Sequence, residues 1–131
     1  GIIYYNKKEK IIKFSGAETA LFYIDENELL QTIKGSRHSI GYKKSDANFE
    51  FKEHTIEVKD GMQFYCTTDG YVDQNGGEKE FPFGKKKFSK LVQENNTKTF
   101  TEQREVFLNI LETYQDNEDK NDDITLIGFG I

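Results

Sequence analysis

The sequence of 131 residues contains a single cysteine, Cys66, one proline and no tryptophan. One cysteine excludes an intrachain disulfide and a cysteine-based zinc cluster, and it fits a reducing, cytoplasmic setting. Because Cys66 lies in a β-prone segment, we expect its thiol to be packed in the core and unreactive. No stretch approaches the roughly 18–20 apolar residues of a membrane helix, and no signal peptide is visible. We therefore expect no membrane contact by this segment.

Basic residues are dispersed along the chain. Lys and Arg number 18 against 23 Asp and Glu, which gives a formal net charge of -5. Since phosphate-backbone recognition needs a concentrated basic face, we expect no nucleic-acid partner. The 11 phenylalanines and 7 tyrosines supply bulky core material that a disordered chain lacks. The length suits one ordinary domain and is too short for two.

Strand patterns dominate the N-terminal part of the chain. We predict strands over residues 2–5, 10–14, 20–24, 28–33, 49–58 and 62–67, with the first two forming a hairpin. Asp60-Gly61 lies between the last two predicted strands. Because glycine tolerates the positive φ of a tight turn, we interpret this dipeptide as a second hairpin turn without a chemical role.

Helical spacing replaces the strand pattern toward the C-terminus. Phe88, Leu91 and Val92 predict one helix. A second helix is indicated by an apolar stripe formed by Phe107, Ile110, Leu111 and Tyr114. Thr99 followed by Glu102 is typical of a capping box at the start of that helix. Residues 125–131 return to a strand. Mostly antiparallel strands, then two helices and a final strand define an α+β fold.

Two acidic positions are candidates for chemistry. Asp69 directly follows the strand over residues 62–67, and the pair Asp122 and Asp123 directly precedes the final strand. If these two strands pair antiparallel, the carboxylates meet at one end of a sheet. Such an oxygen-rich site suits Mg²⁺ or Mn²⁺. Taken singly, Asp-Gly after a strand is usually just a turn, and an Asp pair before a strand is usually a solvated loop end. An EF-hand is excluded because the acidic loop lacks the glycine and glutamate that it requires.

Other polar residues offer weaker candidates. His38 lies in a polar loop and His54 in a strand, and we expect structural or surface roles for both. Arg37 could hold a phosphate oxygen bidentately. The glycine-containing loop at residues 75–78 is expected to be a plain surface loop, although it could border a substrate site.

Several motifs occur together in a recognisable order. Phe64–Asp73 (Phe-Tyr-Cys-Thr-Thr-Asp-Gly-Tyr-Val-Asp) and Asn121–Ile127 (Asn-Asp-Asp-Ile-Thr-Leu-Ile) resemble the Tyr-Thr-Asp-Gly and Asp-Asp-hydrophobic-Thr elements of the SpoIIE/RsbU branch of the metal-dependent (PPM, type 2C-like) serine/threonine phosphatases. Three further elements are similar to that branch: Ser39-Ile40-Gly41, Val58-Lys59-Asp60-Gly61-Met62, and Phe83-Gly84 before a helix. The resemblance covers nearly the whole chain.

This resemblance implies that residues 1–131 form the C-terminal portion of a PPM-type α/β sandwich whose N-terminal half is absent. By the same resemblance Asp69 and Asp122 would be metal ligands. Asp123 would lie next to the ligands without binding the metal itself, and Thr68 and Gly70 are further possible site residues. The complete domain would bind two Mn²⁺ or Mg²⁺ ions and use a metal-activated water without a covalent phospho-enzyme. The site in this chain would be incomplete, so we expect the chain alone to be inactive or very feeble.

The resemblance also implies partners. The expected substrate is a phosphorylated STAS-type anti-anti-sigma protein, and an upstream sensor or receiver domain is expected in the parent protein. One departure from the family pattern is the segment Ser15-Gly16-Ala17-Glu18-Thr19, which lacks the family's histidine. Two alternatives stay open: a catalytically inactive phosphatase-like binding module, and a plain α+β domain without metal.

Overall fold

The fold consists of two stacked antiparallel sheets with a helical layer on one side. The computed structural model describes residues 1–41, 45, 46 and 48–131. Its elements are β1 (Ile2–Asn6), β2 (Ile11–Ser15), β3 (Leu21–Ile24), β4 (Leu30–Ile33), β5 (His54–Glu57), β6 (Gln63–Thr67), α1 (Asp69–Val72), β7 (Asn75–Gly76), β8 (Phe81–Pro82), α2 (Lys85–Asn95), α3 (Phe100–Gln115) and β9 (Leu126–Gly130).

The strands form a three-stranded sheet in the order β1-β2-β5, a four-stranded sheet in the order β4-β3-β6-β9, and a two-stranded β7-β8 ribbon. All the named strand pairs are antiparallel. The predicted α+β class, with mostly antiparallel strands followed by two helices and a final strand, is confirmed. In the described part of the chain, no helix is long and apolar enough to cross a membrane.

The four-stranded sheet is buried on both faces, because alternate side chains of a strand point to opposite sides. On β3, Leu21 joins the cluster between the two sheets, whereas Phe22 joins the cluster beneath the helices. Phe64 and Tyr65 divide in the same way on β6. Each fully buried side chain of this size stabilises the fold by about 1.5–3 kcal/mol. The run on β3 is apolar throughout because this central strand packs against a layer on each face.

The second predicted hairpin is wrong. Asp60-Gly61 is a turn, with Gly61 at φ +90°, but β5 pairs with β2 in one sheet whereas β6 pairs with β3 and β9 in the other. The turn carries the chain from one sheet to the next. The predicted strand over residues 49–58 is also too long, since only His54–Glu57 pairs. Phe49 instead stacks on His38, with ring centroids 3.8 Å apart.

Both predicted helices are present, and the capping box of α3 is confirmed. Thr99 Oγ1 accepts from the Glu102 amide at 3.3 Å, and the Thr99 amide donates to Glu102 Oε2 at 2.8 Å. The predicted apolar stripe is wrong at one position, because Ile110 is 37% exposed. The buried face of α3 includes the polar Gln103 in addition to Phe107.

Candidate metal centre

The end of β6 and the start of β9 lie side by side. In the antiparallel register Thr67 is opposite Leu126, and the Thr68 amide donates to the Thr125 carbonyl at 3.0 Å just beyond the ladder. The predicted antiparallel pairing of these two strands is therefore confirmed. It brings the loop that carries Asp69 next to the loop that carries Asp122.

Thr68 joins these two loops through its side chain. Its hydroxyl donates to the Asp123 carbonyl at 3.1 Å and accepts from the Thr125 amide at 3.0 Å. Thr67 adds a further link, because its hydroxyl donates to the Thr125 carbonyl at 3.1 Å. Hydroxyl groups at the strand end therefore fix the backbone from Asp123 to Thr125.

Gly70 allows the two loops to touch. A Cβ atom at this position would lie 2.4 Å from the Asp123 carbonyl oxygen, a distance that real Cβ contacts do not show. A glycine is therefore required by close backbone approach, and its φ is not in the left-handed region. Thr68, Gly70 and Asp123, all predicted as possible site residues, meet at this junction.

The two proposed ligands occupy different surroundings. Asp69 is the first residue of α1 and lines a cavity of about 360 Å³, which we call the Asp69 cavity; Glu18, Thr68, Asp73 and Lys85 are also on its walls. Asp122 is exposed, and its Oδ1 accepts from the Asp123 amide at 2.7 Å. It lies outside the described lining of that cavity.

These residues do not by themselves complete a metal site. Within residues 1–41, 45, 46 and 48–131, no group of three or more His, Cys, Asp or Glu side chains is placed to hold an ion. The donor type nevertheless suits a hard divalent cation, because carboxylate oxygens are available on both joined loops. The ligand roles of Asp69 and Asp122 stay predictions.

The loop of residues 15–19, whose role the sequence did not reveal, forms one wall of the Asp69 cavity. Gly16 and Gly35 both approach the Thr19 carbonyl so closely that a Cβ would lie 2.2 and 2.3 Å from it. The Ser36 amide donates to the Gly16 carbonyl at 2.7 Å, and the Glu18 amide donates to the Ser36 carbonyl at 2.8 Å. Two loops that are distant in sequence thus hold Glu18 at the cavity.

Gln74 is a second residue that sequence reasoning missed. Its side chain is fully buried. Its amide nitrogen donates to the Asp119 carbonyl at 2.9 Å, and its amide oxygen accepts from the Asn121 amide at 3.2 Å. Asn121 in turn donates from its side chain to the Asp73 carbonyl at 2.7 Å. Gln74 therefore anchors the acidic loop immediately before Asp122.

The remaining candidates have structural surroundings. Burial raises the pKa of the Cys66 thiol, which lies 3.5 Å from the Ala20 carbonyl, so a reactive thiolate is disfavoured. His38 is stacked on Phe49, and His54 pairs within β5. Neither histidine is on the described lining of the Asp69 cavity.

The architecture is that of PP2C-type phosphatase domains. The SiaA-PP2C domain of Pseudomonas aeruginosa is similar, with a TM-score of 0.88 and 29% identity over 98% of this chain and 50% of that one. A PP2C phosphatase domain with part of the regulatory domain of SpoIIE from Bacillus subtilis shares the fold at a TM-score of 0.73 and 15% identity, over 97% of this chain and 36% of that one. The chain thus spans half or less of the length of these structures.

The family itself is defined by sequence. The family model described as "Stage II sporulation protein E (SpoIIE)" matches residues 2–131. The chain therefore belongs to the SpoIIE family, as its ordered motifs predicted. Comparison with curated proteins gave no significant match.

Proposed function

We propose that this chain is part of a metal-dependent protein phosphatase that removes phosphate from phosphoserine or phosphothreonine on a bacterial signalling protein. The observation that carries the proposal is the junction at which Gly70 lies against the Asp123 carbonyl, because it holds the Asp69 and Asp122 loops together. The SpoIIE family match and the similarity to the SiaA-PP2C domain support the reaction class.

In this proposal Asp69 and Asp122 supply carboxylate ligands for Mn²⁺ or Mg²⁺, and the rest of the domain supplies the remaining ligands of a two-metal site. Such a pair of ions, when bound, generates a nucleophilic water and neutralises charge on the phosphoryl group. The SpoIIE phosphatase domain from Bacillus subtilis, 14% identical to this chain, has a structure that was presoaked with manganese. This treatment of a relative makes Mn²⁺ the first metal to test.

The residues around these ligands have positioning roles. Thr68 fixes the position of one loop relative to the other through its hydrogen bonds to Asp123 and Thr125. Gln74 holds the acidic loop through its hydrogen bonds to Asp119 and Asn121. Because ligand geometry depends on such supporting contacts, we expect their loss to weaken metal binding without removing a ligand.

The substrate proposed from the family resemblance is a phosphorylated STAS-type anti-anti-sigma protein, with a sensor or receiver domain upstream in the parent protein. A second candidate is a phosphatase-like binding module that has lost catalysis. The lack of a complete ligand cluster among the described residues fits both candidates, because the chain spans half or less of the related phosphatase structures. An Asp-x-x-Gly-His-Gly motif upstream of Gly1 would support the enzyme, and a parent without it would support the module.

The test compares Mn²⁺-dependent hydrolysis of a phosphopeptide by the 131-residue chain and by a protein extended upstream through the rest of the domain. We expect turnover from the extended protein and little or none from the short chain. Asp69→Ala and Asp122→Ala should each abolish turnover in the extended protein. Retained turnover in both would refute the ligand assignment, and phosphoprotein binding without turnover would establish the binding module.

A further inference from the structure

A second cavity adjoins the Asp69 cavity and carries the opposite charge. It measures about 520 Å³, and its charged lining consists of Lys34, Arg37, Lys85, Lys86 and one carboxylate, Glu18. We call it the cationic cavity. Four residues belong to both linings: Glu18, Ala20, Phe22 and Lys85. The two cavities therefore lie side by side.

The positive charge of this cavity is concentrated and in excess of the negative charge. The cations outnumber the carboxylate on the lining, in a chain whose net charge is -5. All four cationic residues are exposed. The ion pairs found among the described residues involve other cations, namely Lys10, Lys13, Lys59, Lys90 and Arg104. The charges of the cationic cavity are thus available to a ligand.

The backbone segments that carry these cations are fixed by contacts within the fold. Lys34 directly follows β4, and Arg37 follows the contact in which Gly35 approaches the Thr19 carbonyl. Lys85 and Lys86 begin α2, whose Gln93 accepts from the Leu30 amide of β4 at 2.7 Å. The two elements that carry the charges are therefore joined to each other, and their spacing is set before any ligand binds.

We propose that the cationic cavity binds acidic residues that flank the phosphoresidue of the protein substrate. The proposal rests on the proposed function, since it places the phosphate in the Asp69 cavity and the neighbouring chain in the adjacent cationic cavity. Guanidinium and ammonium groups match carboxylates, and the Arg37 guanidinium can bind one bidentately. A cationic groove also steers an acidic segment toward the site.

The kinetic test uses the complete phosphatase domain and two phosphopeptides that differ only in acidic or neutral residues around the phosphoserine. Lys34→Glu combined with Arg37→Glu should raise the KM for the acidic peptide, relative to that for the neutral peptide, by about tenfold. Lys8→Glu combined with Lys79→Glu is the matched control, because it makes the same charge change at exposed residues outside the cavity. An unchanged KM ratio in the first variant would overturn the proposal.

A binding measurement separates this inference from the proposed catalysis. Fluorescence anisotropy with an unphosphorylated acidic peptide needs no turnover, so it can succeed even if no phosphatase activity is found. We expect Lys34→Glu with Arg37→Glu to weaken binding about tenfold, and salt to weaken binding to the unaltered domain. Equal affinity of the variant and the unaltered domain would refute the site. So would tighter binding of a single-stranded oligonucleotide of equal charge, which would assign the cavity to nucleic acid.

A single substitution that does not disturb folding complements the double variant. Lys86→Glu places a carboxylate in the first turn of α2, where negative charge stabilises a helix. Weaker binding of the acidic peptide by this variant therefore reports the lost cation and supports the proposal. Undiminished binding would count against it.

Discussion

Substitution of Gly70 by alanine tests the junction between the Asp69 and Asp122 loops. The added Cβ would lie 2.4 Å from the Asp123 carbonyl oxygen, whereas ordinary van der Waals contact begins at 3.4 Å, so the two backbones must separate by 1.0 Å (3.4 − 2.4). Both sides are backbone, and neither can swing away as a flexible side chain could. A shift of this size would break the 3.1 Å hydrogen bond from Thr68 to Asp123.

The expected cost follows from these contacts. Overpacking costs about 1–3 kcal/mol, and one lost hydrogen bond costs about 1 kcal/mol. Alanine in a helix recovers about 0.5–1 kcal/mol relative to glycine. The net destabilisation of Gly70→Ala is therefore about 1–3 kcal/mol. We also expect weaker Mn²⁺ binding, because the Asp69 and Asp122 loops move apart.

The assay is urea unfolding of the complete domain together with a Mn²⁺ titration. Gly130→Ala is a suitable control, because its nearest contact would be the movable Phe100 ring at 3.2 Å. This control should unfold close to the unaltered midpoint. If Gly70→Ala is as stable as the control and binds Mn²⁺ equally well, the argument from close approach is wrong.

Three further predictions concern Gln74, the capping box of α3 and Cys66. Gln74→Leu should lower stability by about 1–3 kcal/mol in urea unfolding, because backbone groups of the acidic loop lose buried partners; an unchanged midpoint would contradict this role. Hydrogen bonds from the Thr99 hydroxyl and then from its amide lower the pKa of Glu102. This contribution is present above the ordinary glutamate pKa and is lost as the pH falls through the folded-state value. The free energy of unfolding should therefore fall less between pH 7 and pH 3 in Thr99→Ala than in the unaltered chain. An identical pH profile of the two would disprove the cap's contribution. Cys66 should react with a disulfide reagent at pH 8 more slowly in the folded than in the unfolded chain, because burial raises its pKa; equal rates would show that the thiol is accessible.

Features set by neighbouring residues were predictable from sequence. The β1–β2 hairpin, the capping box of α3 and the apolar strand β3 each follow from local spacing and are found as expected. The meeting of the Asp69 and Asp122 loops was also predictable. It needs only antiparallel pairing of two strands, one ending and one starting at an acidic position.

Features set by distant contacts were not predictable. Asp60-Gly61 specifies a change of direction, but nothing in those residues says whether β6 returns to the sheet of β5 or enters another. The wall formed by Glu18 depends on Gly16 and Gly35 packing on one carbonyl. Gln74 looks like an ordinary surface glutamine, because its role depends on backbone groups of a loop that follows α3.

Calorimetric titration of Mn²⁺ into the complete domain measures whether Asp69 and Asp122 bind a divalent metal. Asp69→Ala and Asp122→Ala should each reduce affinity by at least about 100-fold, since removal of a mere supporting partner already costs 10–100-fold. Asp60→Ala is the matched control, because Asp60 also precedes a glycine and its removal loses only an exposed ion pair to Lys10 at 3.3 Å. We expect full Mn²⁺ affinity for this control. Undiminished Mn²⁺ affinity in both the Asp69 and the Asp122 variants would show that these residues are not metal ligands.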